Sequence, residues 1–314
     1  MFPSALPSAI LVSDLHIRSD NPSCRTDNFV ETQIKKLQWL KGLQNKFKNQ
    51  PPVIIAGDIF HKAKPNPLAI SIALENLPEY CIVIPGNHDL PYHNLDLLYE
   101  SGLGVLLKAY SNRFRIYHAN EEMIIHLKNF SVYGFPFSSS EGKERHIELR
   151  LSGDKVGKHF NAKMAVIHTF CYKGRKPNGI EAIGCSKLLK KFYEYDIVVC
   201  GDNHQSFTFR IGNHLLINPG CFSRQNTTEA NCTPTVYLWY AEENTAVTVP
   251  VPTDKKQVFS FNNKKDKKNR VEAVIRNIKN WEVGLSFTQN MKNFLKKNKL
   301  SKAVEHKIWE VIGE

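Results

Sequence analysis

The sequence lacks any apolar run of the ~18–20 residues a helix needs to span a bilayer, so no membrane association is expected. Its first residues, MFPSALPSAILVSDLH, lack a basic n-region, and their short apolar run passes directly into Asp14 and His16. A secretory leader is therefore not expected. No C-x-x-C pair occurs among the seven cysteines (Cys24, Cys81, Cys171, Cys185, Cys200, Cys221, Cys232). An odd, unpatterned set argues against a disulfide framework or a zinc knuckle and suits a reducing compartment, the cytoplasm or another intracellular one. Cys81 and Cys200 lie inside apolar runs and read as core residues. Acidic residues are in the minority, 30 Asp/Glu against 42 Lys/Arg, for a net charge of +12. The excess is uneven: residues 255–314 hold 15 Lys/Arg and 6 Asp/Glu, a net +9, which leaves +3 for the first 254. Charge alone leaves two readings open, a polyanionic partner or a solubilising basic tail.

What is present is a repeated grammar. Short apolar runs end abruptly in a polar, metal-binding type of group: AILVSD (9–14), VIIAGD (53–58), CIVIPGNHD (81–89), MAVIHT (164–169), DIVVCGDNH (196–204) and LLINPG (215–220). Runs without alternation read as strands buried on both faces, and in open α/β sheets ligands gather beyond the carboxyl ends of such strands. Between the first runs, Val30, Ile34, Leu37 and Trp39–Leu40, then residues 68–77, recur at helical spacing. The alternation predicts a largely parallel sheet at the start. FRIYHA and MIIHLKNFSVYGF predict further strands, residues 138–160 a long polar loop near the site, and residues 234–250 a closing hairpin turning near 242–244. The expected organisation is a catalytic domain over 1–250, a basic linker over 251–270, and a helical extension over 271–314 for DNA or partner binding. In that extension Val271, Val274, Ile275 and Ile278 form one stripe, and Ser301 caps a last helix.

The polar ends carry the chemistry. Asp14-x-His16, Gly57-Asp58, Gly86-Asn87-His88-Asp89, His168 and Asp202-x-His204 offer carboxylates, imidazoles and a side-chain amide. That mixture suits two divalent cations such as Mn²⁺, Fe²⁺, Zn²⁺ or Mg²⁺ rather than a thiolate site. Paired cations activate water and neutralise phosphoryl oxygens. The glycines before Asp58, Asn87 and Asp202 allow tight turns at the strand ends. His93, His118, His126, His146, His159, His214 and His306 have no motif around them and read as surface or packing residues.

In this order, D-x-H, G-D, G-N-H-D, a lone His and G-x-x-H resemble the calcineurin-like metallophosphoesterases over about residues 9–225. The resemblance implies a double β-sheet sandwich flanked by helices. It implies one metal on Asp14, His16 and His204, and another on Asn87, His168 and residue 202, with Asp58 bridging. His88 would sit over the leaving group, oriented by Asp89. One position departs: the family's G-H-x-H is Gly201-Asp202-Asn203-His204 here. Asp202 as a ligand partly offsets the metal charge and favours Mn²⁺; the alternative is a weaker second site. GDIFHKAKPNP (57–67), FSVYGFPF (130–137) and NPGCFSRQ (218–225) are similar to segments of SbcD-type DNA-repair nucleases, whereas the G-D-x-V-D-R-G of protein phosphatases is absent.

The expectation is a metal-dependent DNA phosphodiesterase, exonuclease or endonuclease, in repair, recombination or replication. His61 would contact phosphate, and Lys173, Arg175 and Lys176 would touch substrate or line a solvated loop. The resemblance further implies an SbcC-type ATPase partner and a homodimer. Two rivals stay open: a phosphoesterase for nucleotides or other small molecules, and a catalytically weak interaction scaffold on the same fold.

Overall fold

The computed structural model describes residues 5–109, 115–118, 123–137, 147–150, 162–177, 179, 181–253 and 259. The amphipathic stripes expected after Val271 and the cap at Ser301 lie outside them.

The first sheet has six strands. Strands β1 (Ala9–Val12), β2 (Val53–Ala56), β3 (Tyr80–Ile84) and β4 (Arg115–His118) run parallel. Beyond β1 the sheet is completed by the antiparallel strands β14 (Thr235–Tyr240) and β15 (Thr245–Pro250), the hairpin expected from the sequence. The connections carry helices α1 (Phe29–Asn45), α2 (Pro67–Asn76) and α3 (Gly102–Ala109). Asn28 starts α1 by accepting the Glu31 N–H, and Asn66 starts α2 by accepting the Ala69 N–H with Pro67 at the first helical position. These caps satisfy amide groups that have no partner inside the helix.

The second sheet has seven strands in the order β12 (Phe207–Ile211), β13 (His214–Asn218), β11 (Ile197–Gly201), β8 (Ala162–His168), β6 (Phe130–Phe135), β5 (Met123–His126) and β7 (Ile147–Arg150). The last of these corrects the long loop expected over 138–160, since Ile147–Arg150 pairs in parallel with β5. A strand of four residues reading I-E-L-R is too short to leave a conspicuous apolar run in the sequence. A two-stranded ribbon, β9 (Cys171–Tyr172) and β10 (Ile183–Gly184), leads into α4 (Cys185–Lys191).

Alternation within the buried runs builds three cores. Ile10, Val12, Val53, Ile55, Cys81 and Val83 face α1, α2 and α3. Their neighbours Ala9, Leu11, Ile54, Ala56, Ile82 and Ile84 pack with Val132, Met164, Val166, Ile197, Val199 and Trp239 between the sheets. Ala165, Val198, Cys200 and Leu216 pack outward with Leu188 and Leu189 of α4. Burial on both faces is why these strands are continuously apolar. Cys81 and Cys200 are fully buried, as expected of core residues, and all seven cysteines are free thiols. Among the described residues no helix is long and apolar enough to cross a membrane. The sandwich brings the carboxyl ends of β1, β2, β3, β8 and β11 together.

Candidate metal centre

Each of these strands stops where its chain must turn sharply. Asp14, His16, Asp58 and Asp202 have positive φ, at 51°, 45°, 55° and 77°. Such conformations cost a non-glycine residue roughly 1–3 kcal/mol each. The turns are held by backbone bonds: the His16 N–H donates to Asp58 O at 2.9 Å and the Ile17 N–H to Ile59 O at 2.7 Å. Two glycines are required sterically. A Cβ on Gly57 (φ 90°) would lie 2.1 Å from His168 Nδ1, and one on Gly86 would lie 2.1 Å from Asp58 Oδ1. Strained non-glycine residues gathered at one edge of a sandwich point to a site.

The side chains converge in two sets. In the first, His16 Nε2 and His204 Nε2 are 3.2 Å apart, and each is 4.0 Å from Asp14 Oδ1. In the second, His168 Nε2 lies 3.1 Å from Asn87 Oδ1. Asp58 Oδ2 joins the two, 3.6 Å from His16 Nε2 and 3.5 Å from His168 Nε2. Facing imidazole nitrogens either share a proton or turn their lone pairs on a common cation. Asp14 Oδ2 is buried with no hydrogen-bond partner among the described residues. The surrounding field also calls for positive charge. Burial works against protonation of His168, yet the Asp58 carboxylate beside it raises it to about 10. Burial likewise opposes, and the Glu229 hydrogen bond overcomes, so that His204 rises to about 9. Asp58 is pushed up by burial but held below the usual carboxylate range by the positive charge of His168 and His16. Donor types, an orphaned oxygen and charge all fit divalent cations. Among the described residues three groups are able to hold them: Asp14 with His16 and His204, Asp14 with Asp58 and His168, and His16 with His61 and His88.

Residues 8–206 match the family model described as calcineurin-like phosphoesterase, more than half of the chain. The chain belongs to the calcineurin-like phosphoesterase family. Solved structures with a similar fold include an archaeal phosphodiesterase (16% identity, 77% of this chain and 98% of that one, TM-score 0.39). Others are a putative 5′-nucleotidase from Staphylococcus aureus (14%, 83% and 57%, TM-score 0.43) and a Vps29 single mutant from Entamoeba histolytica (12%, 78% and 99%, TM-score 0.34). No curated protein matches the chain. The chain is thus a phosphoester hydrolase by family, with a histidine–aspartate cluster of the kind that holds divalent cations.

Around the phosphoesterase's ligands, the structure refines several expectations. His88 is not oriented by Asp89. Its Nδ1–H donates to the His61 carbonyl at 2.8 Å, while its backbone N–H donates to Asp58 Oδ1 at 2.9 Å. Asp89 is fully buried and accepts the N–H groups of Ile59, Phe60 and Gly86, at 3.1, 3.0 and 3.0 Å. It ties the turn after β2 to the turn after β3, because the 3-10 turn Asn87–Asp89 points consecutive side chains in different directions. The His61 ring stacks with His88 at 5.8 Å, and both cluster with His16. Burial, with Arg18 nearby, pushes His61 down to about 4, so it is neutral at neutral pH.

Asp202 donates its backbone N–H to Asp14 Oδ1 at 3.1 Å. Burial raises its carboxyl, and the charges of His168, Asp58, His204 and His88 act on it, yet it joins none of the tight ligand groups. Lys173, Arg175 and Lys176 are exposed on the segment that follows His168, and Lys173 Nζ donates to Thr208 O at 3.2 Å.

Two residues that the motifs did not mark support the centre. His204 Nδ1 donates to the buried carboxylate of Glu229 at 2.5 Å, which leaves Nε2 free to face the site. His93, with no motif around it, donates from Nδ1 to Asn87 O at 3.0 Å and bears on the loop holding that ligand. His168 is fixed the same way as His204, by the Ala56 carbonyl at 2.8 Å. Such outer partners set the tautomer of a metal-binding imidazole. The closing segment 218–225 also supports the site, since Gln225 Nε2 donates to His16 O and the Phe222 N–H to Asp14 O.

Proposed function

We propose that this phosphoesterase is a metal-dependent nucleic-acid phosphodiesterase, acting on DNA in repair, recombination or replication. The observation that carries the reading is the second pair of imidazoles, His61 and His88, packed against His16 beside the shared Asp58, with rings of His16 and His88 4.9 Å apart. With His16 they form a third group of donors able to hold a cation; with two cations on the sets that meet at Asp58, His61 and His88 are left to face substrate. The net charge of +12 supports a polyanionic substrate, and the resemblance of residues 57–67 to SbcD-type nucleases supports DNA.

Asp14, His16 and His204 would hold one divalent cation and His168, Asn87 and Asp202 the other, with Asp58 between them; Mn²⁺ suits the oxygen-rich second set. When bound, paired cations supply an activated water and neutralise charge on the phosphoryl oxygens. The remaining steps belong to the chain. Neutral His61 donates a hydrogen bond to a non-bridging phosphate oxygen. His88, as an imidazolium whose Nδ1–H is held by the His61 carbonyl, would give its Nε2 proton to the departing sugar oxygen and be left as the neutral Nδ1–H ring. Glu229 and the Ala56 carbonyl keep the ligand imidazoles in the required tautomer.

The test is a matrix of metals against substrates on purified protein: Mn²⁺, Mg²⁺ and Zn²⁺ with single-stranded, duplex and hairpin DNA and a small chromogenic diester. DNA cleavage that depends on Mn²⁺ and ceases on chelation is expected. Turnover of the small diester with no DNA cleavage under any metal would rule out the nucleic-acid reading and leave a small-molecule phosphoesterase.

A further inference from the structure

A second feature lies outside the ligand sets, on the segments that follow His168 and His204. A cleft of about 560 Å³ opens where β9, the start of α4 and β12 meet, lined by Tyr172, Lys173, Ser186, Lys187, Lys190 and Phe209 among others. The volume is roughly that of a pocket for one or two nucleotides rather than of a groove for a duplex. Its surroundings are strongly basic. Between Cys171 and Tyr193 the chain has Lys173, Arg175, Lys176, Lys187, Lys190 and Lys191, all exposed, against the single acid Glu181. Among the described residues none of these six cations lies in an ion pair. Uncompensated charge held on a helix and a short ribbon is a fixed field. In sequence it is distinct from the basic residues after 254.

The cleft is coupled to the metal centre through backbone. β9 begins three residues beyond His168, and the Cys171 carbonyl accepts from Asn203 Nδ2 at 2.7 Å, where Asn203 stands between Asp202 and His204. On the other wall, Lys173 donates to Thr208 O, four residues past His204. A chain entering the cleft therefore borders both loops that supply ligands. The rings of Tyr172 and Phe209 are partly buried in its walls. Cations spaced along a groove with aromatic faces between them match the recognition of single-stranded nucleic acid, in which phosphates meet lysines and bases stack.

We propose that this cleft is a single-strand binding track: it takes the phosphate backbone next to the scissile bond on Lys187 and Lys190, with bases against Tyr172 and Phe209. The proposal rests on the nucleic-acid reading above and assigns it a surface. The test uses the full chain, a fluorescent oligothymidylate and Ca²⁺, with anisotropy followed across a salt series. The K187E/K190E variant should bind at least tenfold more weakly at low salt. Its slope of log affinity against log salt should be shallower by about 1.4, the value for two phosphate contacts on a single strand. F209A should weaken binding a few-fold with the slope unchanged, because stacking is not ionic. Turnover of the small diester, measured in parallel, reports an intact metal centre.

Unchanged affinity and slope in K187E/K190E, in a protein that still cuts DNA, would overturn the track alone. A wild-type chain that turns over the diester but neither binds nor cuts the oligonucleotide would take the nucleic-acid reading down with it. Displacement of the oligonucleotide by polyglutamate as effective as by unlabelled oligothymidylate would assign the cleft to acidic polypeptide and overturn the proposal.

Discussion

On one side of Asp58 the side chains of Asp14, His16 and His204 close on a common point, and His204 is braced from behind by buried Glu229. On the other side His168 and Asn87 converge, and Asp202 lies outside the tight groups. Both halves use one device, a strand end held at positive φ or pinned by a glycine. The donors differ. The first half has two imidazoles and carboxylate oxygens; the second has one imidazole, an amide oxygen and a more distant carboxylate. Nitrogen-rich sets favour borderline ions such as Zn²⁺ or Fe²⁺, and oxygen-rich sets favour Mn²⁺ or Mg²⁺. The two halves therefore differ in donor chemistry, and Asp58 lies within 3.6 Å of an imidazole of each.

The hardest blow to this arrangement is Asp58→Asn, which removes the shared anion. Turnover of a small chromogenic diester should fall on the order of 10³-fold, and elemental analysis should find metal lost from both halves. Full occupancy of the first half in this variant would show the halves to be independent. Next comes His88→Ala, which leaves the ligands in place. It should slow cleavage of DNA, or of a diester with an alkoxide leaving group, by roughly 10²–10³-fold. A nitrophenolate departs without protonation and should be slowed far less. Equal losses on both substrates would mean that His88 positions the phosphate and does not protonate the leaving oxygen.

The contrast also explains what could be read before the structure. The runs 9–14, 53–58, 81–89, 164–169, 196–204 and 215–220 are strands because each alternates between two cores, a condition that leaves a local, continuous signature. The candidate ligands were legible because each lies at, or within a few residues past, such a strand's end. Glu229 was not, since it meets His204 from 25 residues away. Its only local sign is the Asn226-x-x-Glu229 capping pattern, which reads as a turn and not as a site. Asp89 stood beside His88 in the motif, but neighbours on a 3-10 turn diverge, so adjacency predicted the wrong partner. The strand Ile147–Arg150 escaped notice because four residues reading I-E-L-R leave no continuous apolar run.

A smaller effect, confined to the first half, should follow Glu229→Gln. The amide keeps an acceptor for His204 Nδ1–H but loses the negative charge. Affinity for the first cation should drop about 10–100-fold, while the second half is unchanged in a two-step metal titration. A uniform loss across both steps would show that Glu229 supports the fold of the 225–230 turn rather than His204 alone. That outcome has a structural route, because Glu229 also accepts the N–H groups of Gln225 and Asn226.

The smallest effect, and the one that bears most directly on the contrast, is expected from Asp202→His. The backbone at 202 has φ 77°, a conformation that aspartate and histidine both tolerate better than most residues. The exchange is therefore mainly one of donor and charge. A neutral imidazole removes an anion from the second half and supplies the nitrogen donor that the family pattern has there. Preference for Zn²⁺ over Mn²⁺ in the second half should rise by up to about tenfold, with turnover changing only a few-fold. Asp202→Ala is the control that separates ligation from field. If Asp202 coordinates, alanine should weaken the second cation more than histidine does. If alanine and histidine weaken Mn²⁺ binding equally, Asp202 acts only as a charge within the site, and the second half is completed by His168, Asn87 and Asp58.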